Sequence, residues 1–262
     1  MTDFEDEIRN RMGSGLPSKY VDEQAQSKRV SDGSECVLTE RGRLQATEAA
    51  IWMFDVGQRI TFDGTISGLS LPQKEPEFGG SLADEQRQKA RERGRSLLRE
   101  VGWTRVGGGT VRDVWKPPED VVMIDDPTGC LVKIAKWSKR DYDAGVDQNR
   151  QELANWMVAD RKAKEALTPP SEYNSNRHRW FTVPTVDTDV DESEAEAFIE
   201  RLENNGWSLL DSKVENLGRI GNSIVFVDSG IIYPPNSREL EDKKNELKRN
   251  DPGNTLNEVI DP

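Results

Sequence analysis

The sequence predicts an α+β protein, and three features of the chain carry that prediction. Short apolar runs between residues 103 and 137 are separated by turn residues, as in a small antiparallel sheet. Segments on both sides of those runs have apolar residues at the spacing of an amphipathic helix. The stretch 209–230 holds a further strand pattern between glycines, which favours a hairpin.

Composition describes an acidic and very polar chain. Its 262 residues carry a formal net charge of −12, and only 34% of them are hydrophobic, so the apolar residues must be concentrated to form a core. An acid-rich, lysine-poor composition indicates a halophilic protein from a very salty cytoplasm; an ordinary acidic protein is the alternative. Because DNA and membrane surfaces are themselves anionic, the charge argues against nucleic acid and membrane partners.

The chain has two cysteines, Cys36 and Cys130, and one histidine, His178. This set is too small for a structural zinc site, which needs four such ligands. We find no signal peptide, so we expect both thiols to be reduced and the protein to be cytoplasmic. No run approaches the ~20 apolar residues of a membrane span. We assign His178 to a loop, without a catalytic role.

The first hundred residues predict a flexible beginning and a helical extension. Residues 1–35 are polar, and we expect them to be poorly ordered. A helix is predicted over 38–60, where Thr39 is a candidate N-cap. Repeated Gly and Pro predict a linker over 61–80, and a second helix follows over 81–103.

Beyond residue 103 the pattern changes to that of strands. The runs WTRVGGGTVRDVW, DVVMI and CLVKIAKW predict a three-stranded antiparallel meander. The later elements are a helix over 141–167, a strand over 179–186, a helix over 192–207, the hairpin, and a tail over 236–262 that we expect to be mostly surface helix and coil. Pro184 makes the strand an edge strand or a connector, because Pro cannot donate to a neighbouring strand.

Glycines and a buried lysine are the first candidate site residues. Gly107, Gly108 and Gly109 lie between two strand segments, where their backbone could approach a phosphate; a flexible hairpin tip is the alternative. Lys133 lies within LVKIA, on the face opposite Val132 and Ile134. A lysine in such a run needs a partner, since burial of an unpaired ammonium is costly; an exposed sheet edge is the alternative.

Acidic and amide side chains form the second candidate group. Glu152, in the middle of the next helix, is placed to pair with Lys133 and orient it; a surface Glu is the alternative. Asp228 directly follows the apolar strand IVFV, and Asn216 precedes that hairpin. Magnesium takes one or two such oxygen ligands in addition to phosphates. Asp211 is a candidate for accepting a hydroxyl proton; ordinary turn chemistry is the alternative for all three hairpin residues.

Taken in chain order, these residues resemble the protein-kinase-like fold. The matching positions are the Gly107–Gly109 loop, Lys133 of LVKIA, Glu152 of NRQELANW, Asp211 and Asn216 of DSKVEN, and Asp228 with Gly230 in DSG. An Asp and an Asn with four residues between them, then an Asp-x-Gly about a dozen residues later, match the kinase catalytic loop and metal motif. The segment VPTV is similar to the hinge between kinase lobes.

The resemblance implies a two-lobe domain over 101–235. Its small antiparallel N-lobe sheet would lie within about 101–182 and its reduced, mostly helical C-lobe within about 187–235, after a helical extension at 36–100. Departures from the pattern include Leu209 and Leu210 in place of the His-Arg before Asp211, and the absence of the later glycine of the glycine loop. The chain is therefore similar to the minimal kinase-like proteins of viruses and mobile elements. The resemblance, together with the acidic composition, implies a haloarchaeal virus or mobile element, and the protein would then be located in the host cytoplasm.

The same resemblance implies ligands and roles. ATP would lie in the interlobe cleft, with its phosphates under the glycine loop and on Lys133. Magnesium would bind Asn216 and Asp228, and Asp211 would be the base for phosphate transfer to an unknown protein or small-molecule acceptor.

One alternative is a pseudokinase-type protein that binds nucleotide without transferring phosphate. The other is a non-catalytic interaction or structural protein, for example of a virus. The motif residues would then serve only ion pairs and turns. The functional part would be the first hundred residues, through the helix at 38–60 and the basic stretch 87–99.

Overall fold

The computed structural model describes residues 21–22, 24–30, 36–57, 81–123, 129–138, 143–209, 213–229, 232–233, 235 and 237–249. The predicted linker at 61–80 and Asp211 lie outside these residues. The α+β class is confirmed: helices surround a six-stranded antiparallel sheet. None of the described helices is long and apolar enough to cross a membrane.

The described strands form one large sheet and three small ones. The large sheet has the order β1-β7-β8-β6-β4-β3 and contains β1 (Ser27–Arg29), β3 (Thr104–Gly108), β4 (Arg112–Lys116), β6 (Cys130–Ala135), β7 (Glu172–Asn174) and β8 (Trp180–Pro184). The small sheets pair β2 (Val37–Leu38) with β5 (Val122–Met123), β9 (Ser208–Leu209) with β12 (Ile232–Tyr233), and β10 (Leu217–Ile220) with β11 (Ser223–Phe226).

Six α-helices are described. They are α1 (Glu40–Ala50), α2 (Ser81–Glu100), α3 (Ala144–Val158), α4 (Arg161–Lys164), α5 (Glu192–Asn204) and α6 (Ser237–Arg249). Thr39 caps α1, since its side chain accepts a hydrogen bond from the Gly42 N–H at 3.2 Å. The helix then continues as a π-helix over Ile51–Val56.

One face of the large sheet lies under α1, the π-helix and α2. The sheet contributes Trp115, Val132, Ile134 and Trp180 to a buried cluster, and the helical segments contribute Ala46, Ala49, Ala50, Met53 and Leu98. Gly94 of α2 permits the close approach of the two helical segments, because a Cβ there would lie 2.6 Å from Met53 Cγ and 2.7 Å from the Ala49 carbonyl oxygen. The helical extension therefore supplies half of this core.

The opposite face of the sheet packs against α3 and α6. Phe181 and Val183 of β8 form a second buried cluster with Leu153 of α3 and with Leu240 and Leu247 of α6. A helix is thus present in the tail as predicted, but it is not a surface element throughout, because its Leu240 and Leu247 side is buried. A third cluster, centred on Phe198 of α5 and Leu217 and Phe226 of the β10–β11 hairpin, lies beyond the sheet.

One prediction of poor order and two strand predictions are wrong. Part of the stretch 1–35 is an ordered strand, since β1 pairs antiparallel with β7. DVVMI does not join the meander: Val122 and Met123 pair with β2 instead, and the meander is β3-β4-β6. The strand with Pro184 is interior, between β6 and β7, because Pro184 is its last residue and the missing N–H interrupts no ladder.

The expectation of reduced thiols is also wrong. Cys36 and Cys130 form a disulfide with Cα atoms 5.3 Å apart, within the usual range for this bond. The bond ties the segment before β2 to the start of β6 across a sequence separation of 94. Covalent closure of so long a loop restricts the unfolded chain strongly.

Candidate functional site

Lys133 and Glu152 meet beneath the sheet, as predicted. Strand alternation places Lys133 on the face away from Val132 and Ile134, toward α3. Its Nζ lies 2.6 Å from Glu152 Oε2, and the two side chains are 4% and 5% exposed. The same ammonium donates to the Val227 carbonyl oxygen at 2.5 Å, which ties β6 to the end of the hairpin.

Asp228 completes the predicted convergence from the hairpin side. The Val227 N–H donates to the Asn216 carbonyl oxygen at 2.8 Å, so Asn216 lies opposite the residue that precedes Asp228. Gln148 of α3 approaches Asp228 with its Nε2 at 3.2 Å from Oδ1 and 3.1 Å from Oδ2. Asp228 is the most accessible member of the group, with 31% of its side chain exposed.

Arg112 joins the two carboxylates and was not among the predicted residues. One guanidinium nitrogen, Nη1, bonds Glu152 Oε1, and the other, Nη2, lies 2.8 Å from Asp228 Oδ1. The side chain is only 6% exposed. A signal for it existed in the sequence: in the kinase glycine motif G-x-G-x-x-G-x-V, counted from Gly107, the third glycine falls at position 112 and the valine at Val114.

The four charged side chains balance each other. Arg112 and Lys133 supply two positive charges, and Glu152 and Asp228 supply two negative charges. Burying an unpaired charge is costly, whereas charges that are paired and hydrogen-bonded are tolerated. The quartet is therefore a neutral, self-satisfied network that links β4, β6, α3 and the hairpin.

Electrostatics keep this network ionised at Asp228. Burial would raise the pKa of Asp228, but Arg112 and Lys133 more than offset it and hold that pKa below its usual range. Burial would lower the pKa of Arg112, but Glu152 and Asp228 reverse the effect and raise it. Burial raises the pKa of Glu152, and the two cations oppose the rise.

The glycine turn connects β3 to β4 above this network. Position 108 has no room for a side chain, because a Cβ there would lie 2.5 Å from Asp113 Oδ1 and 2.7 Å from an Arg105 nitrogen. The Gly109 N–H donates to the Arg112 carbonyl oxygen at 3.0 Å, so the hairpin itself uses that donor. A Cβ on Gly109 would meet nothing within 4 Å, which makes this glycine the open point of the turn.

A second buried charge cluster lies on the other face of the same hairpin. Asp113 is fully buried and bonds Arg95 of α2 at 2.7 Å, Lys136 at 2.8 Å and Arg105 at 3.0 Å. Burial would raise the pKa of Asp113, but hydrogen bonds from Arg95 and Lys136 lower it to about 2. This cluster fastens α2 to the sheet, and no motif in the sequence indicates it.

A cavity of about 520 Å³ opens elsewhere, between β1 and α1. Its lining includes Asp22, Lys28, Glu40 and Arg43, and none of the predicted site residues belongs to it. This volume is within the range of small-ligand pockets, but only Ala25 and Leu44 of its nine lining residues are apolar, whereas such pockets are usually lined mostly by apolar side chains.

The predicted residues thus divide into three groups. Lys133, Glu152 and Asp228 come together, with Asn216 next to them on the hairpin. Gly107 and Gly108 are the last two residues of β3, and Gly109 follows in the turn to β4. Asp211 and Gly230 lie outside the described residues. No protein-family model matches this sequence, and a search of curated proteins finds no match either.

Proposed function

We propose that this chain is a minimal kinase-like protein that binds ATP between the sheet and the β10–β11 hairpin. One observation carries the proposal: Lys133 on the third strand of the meander is paired with Glu152 on the next helix, beside the Asp that follows the hairpin. A Lys–Glu pair beside an Asp is one part of the set that kinase-like phosphoryl transfer uses; the other parts are a base, a glycine loop and a metal ion.

In this proposal, Lys133 and Arg112 provide the positive charge for the triphosphate. Phosphate oxygens would replace part of the carboxylate contacts on the accessible side of the quartet, where Asp228 is partly exposed. If transfer occurs, the acceptor hydroxyl oxygen bonds the γ-phosphorus as the bond to the ADP oxygen breaks, and Asp211 takes the hydroxyl proton. The acceptor is a protein or small-molecule hydroxyl.

The resemblance implies that magnesium accompanies the nucleotide, bound by Asn216 and Asp228. The Asp228 carboxylate already receives N–H groups from Arg112 and Gln148, and the guanidinium lies 2.8 Å from Oδ1. Among the described residues, no group of three or more His, Cys, Asp or Glu side chains is placed to hold a metal ion. A divalent ion does not fit against Asp228 while Arg112 remains there, so no step is derived through it.

A non-catalytic role is the second candidate, and the position of Arg112 favours it. The quartet leaves none of its four charges without an opposite charge at bonding distance. In that case the network only holds α3, the sheet and the hairpin together, and ATP has no effect on the protein.

Binding of a fluorescent ATP analogue, in concentrated KCl, separates the two candidates. We expect saturable binding by the natural protein and a loss of at least about tenfold in affinity for Lys133→Met, because a charge-assisted phosphate contact is removed. The matched control is Lys162→Met, which removes an exposed lysine and should bind as the natural protein does. Circular dichroism establishes that each variant is folded.

The outcome against the proposal is equally definite. If the natural protein does not bind the analogue, or if folded Lys133→Met binds it as tightly as Lys162→Met does, the nucleotide proposal is wrong. The non-catalytic alternative then stands.

A further inference from the structure

Arg112 occupies the place next to Asp228 that the resemblance assigns to a metal ion. We propose that the Arg112 guanidinium substitutes for the divalent cation at this site, so that the natural protein binds no metal at Asp228 and binds nucleotide without one. The nucleotide half of this inference rests on the proposed function, whereas the metal half stands without it.

The charge balance supports the substitution. With Arg112 in place, two cations face two carboxylates in a site where three of the four side chains are 6% exposed or less. A divalent ion added there would leave a surplus of two positive charges in a poorly solvated site, which is strongly unfavourable. Without Arg112, the same site has one excess negative charge and attracts a cation.

The geometry points the same way. An ionised carboxylate has about four lone-pair directions for donors or metals. Asp228 directs Oδ1 to Arg112 and receives Gln148 at both oxygens, while Glu152 directs Oε1 to Arg112 and Oε2 to Lys133. The guanidinium fork thus spans two carboxylates from different elements, as a bridging cation would.

The sequence position of Arg112 explains how it reaches the site. Strand pairing sets Val114 opposite Lys133, so Arg112, two residues earlier on β4, projects from the same face as Lys133. A glycine at position 112, as in the kinase motif, has no side chain and would leave the space between Glu152 and Asp228 open. One residue therefore decides whether the site holds a resident cation.

Titration with Mn²⁺ alone, followed by electron paramagnetic resonance, tests the metal half. We expect the natural protein to show no Mn²⁺ site that depends on Asp228. Arg112→Gly should gain one, with an affinity for Mn²⁺ at least about tenfold above that of the Arg105→Gln control, because two carboxylates become available. The gain should disappear when Asp228→Asn is added to Arg112→Gly. The matched control is Arg105→Gln, which removes an arginine from the same hairpin and should gain no site.

Two results would overturn the metal half. The first is a Mn²⁺ site in the natural protein that Asp228→Asn abolishes. The second is a folded Arg112→Gly protein that binds Mn²⁺ no better than the Arg105→Gln control. If Arg112→Gly does not fold, Arg112→Gln replaces it, since the amide keeps a donor near Glu152 but lacks the charge.

The fluorescent ATP analogue tests the nucleotide half, with EDTA or with Mg²⁺. We expect the natural protein to bind equally well in both and Arg112→Gly to need Mg²⁺, with affinity at least about tenfold lower in EDTA. A natural protein whose affinity rises tenfold with Mg²⁺ would overturn the substitution. If neither protein binds nucleotide but Arg112→Gly gains the Mn²⁺ site, the proposed function fails and the metal half of the inference stands.

Discussion

Glu152→Gln is the most informative single perturbation of the buried quartet. Glu152 accepts bonds from both Lys133 and Arg112, and its side chain is 5% exposed. The amide has almost the same shape but no charge, and its NH₂ group would face the donors of one of the two cations. Within the quartet, the two buried cations would then have Asp228 as their one negative charge.

The expected loss of stability follows from these contacts. Each hydrogen bond to a charged partner contributes about 1.5–3 kcal/mol, and the amide oxygen retains one of the two. With the added penalty of two donors in contact, we expect the free energy of unfolding to fall by about 3 kcal/mol, as is usual when a buried ion pair loses one partner. For a chain of this size the melting temperature should fall by roughly 6–12 °C.

Urea denaturation measures this loss, and a double-mutant cycle tests its cause. The control Glu196→Gln, on the exposed face of α5, should change stability by less than about 0.5 kcal/mol. Combining Glu152→Gln with Arg112→Gln restores equal numbers of opposite charges, so the pair should cost at least about 1 kcal/mol less than the sum of the single changes. A Glu152→Gln cost below about 1 kcal/mol, or strict additivity, would refute the idea of a coupled buried network.

Three further predictions concern stability. Because Asp113 has a folded pKa of about 2, below its unfolded value, it stabilises the fold above pH ~4 and this contribution is lost as the pH falls toward 2. This contribution amounts to about 2 kcal/mol. In urea denaturation at several pH values, the free energy of unfolding of Asp113→Asn should fall less between about pH 4 and about pH 2 than that of the natural protein; an equal fall in both proteins would contradict this. Reduction of the Cys36–Cys130 bond should lower the free energy of unfolding by about 2–5 kcal/mol, whereas Cys36→Ser should not respond to reductant; an unchanged denaturation midpoint in the reduced protein would argue otherwise. Gly94→Ala should destabilise by about 1–3 kcal/mol despite the better helix propensity of Ala, because its Cβ would overlap Met53. A more stable variant in thermal melts would show that the helices can separate without cost.

The sequence was sufficient to place the ion pair beneath the sheet. Lys133 has apolar neighbours on both sides, so alternation alone indicated its face and the need for a partner. Glu152 was identifiable because it borders the apolar side of the next helix. Asp228 was identifiable because it ends an apolar run, where a hairpin strand must stop.

Arg112 could not be placed in the same way. An arginine next to a glycine turn is normally solvated, and nothing local indicates that α3 and the hairpin will enclose it. Its burial depends on Glu152 and Asp228, which approach it from 40 and more residues away in the chain. Only the count along the glycine motif marked position 112 as unusual.

The strand and disulfide errors have the same physical origin. β1 consists of Ser27, Lys28 and Arg29, and none of these residue types favours strands. The strand forms because its backbone pairs with the backbone of β7, from Glu172 to Asn174. Pairing of Cys36 with Cys130 likewise depends on where β2 comes to lie. These contacts join residues that are far apart in the sequence, so local sequence patterns do not predict them.

The layer formed by α1 and α2 has a practical consequence for the expression of shorter fragments that contain the buried charge quartet. A fragment beginning at residue 101 would present Trp115, Ile134 and Trp180 directly to water, and an apolar area of that kind promotes aggregation. Arg95, which anchors Asp113, would be lost as well. Expression trials should therefore retain the amino-terminal third, because among the described residues α1, the π-helix and α2 are the segments that cover the Trp115 and Trp180 face of the sheet.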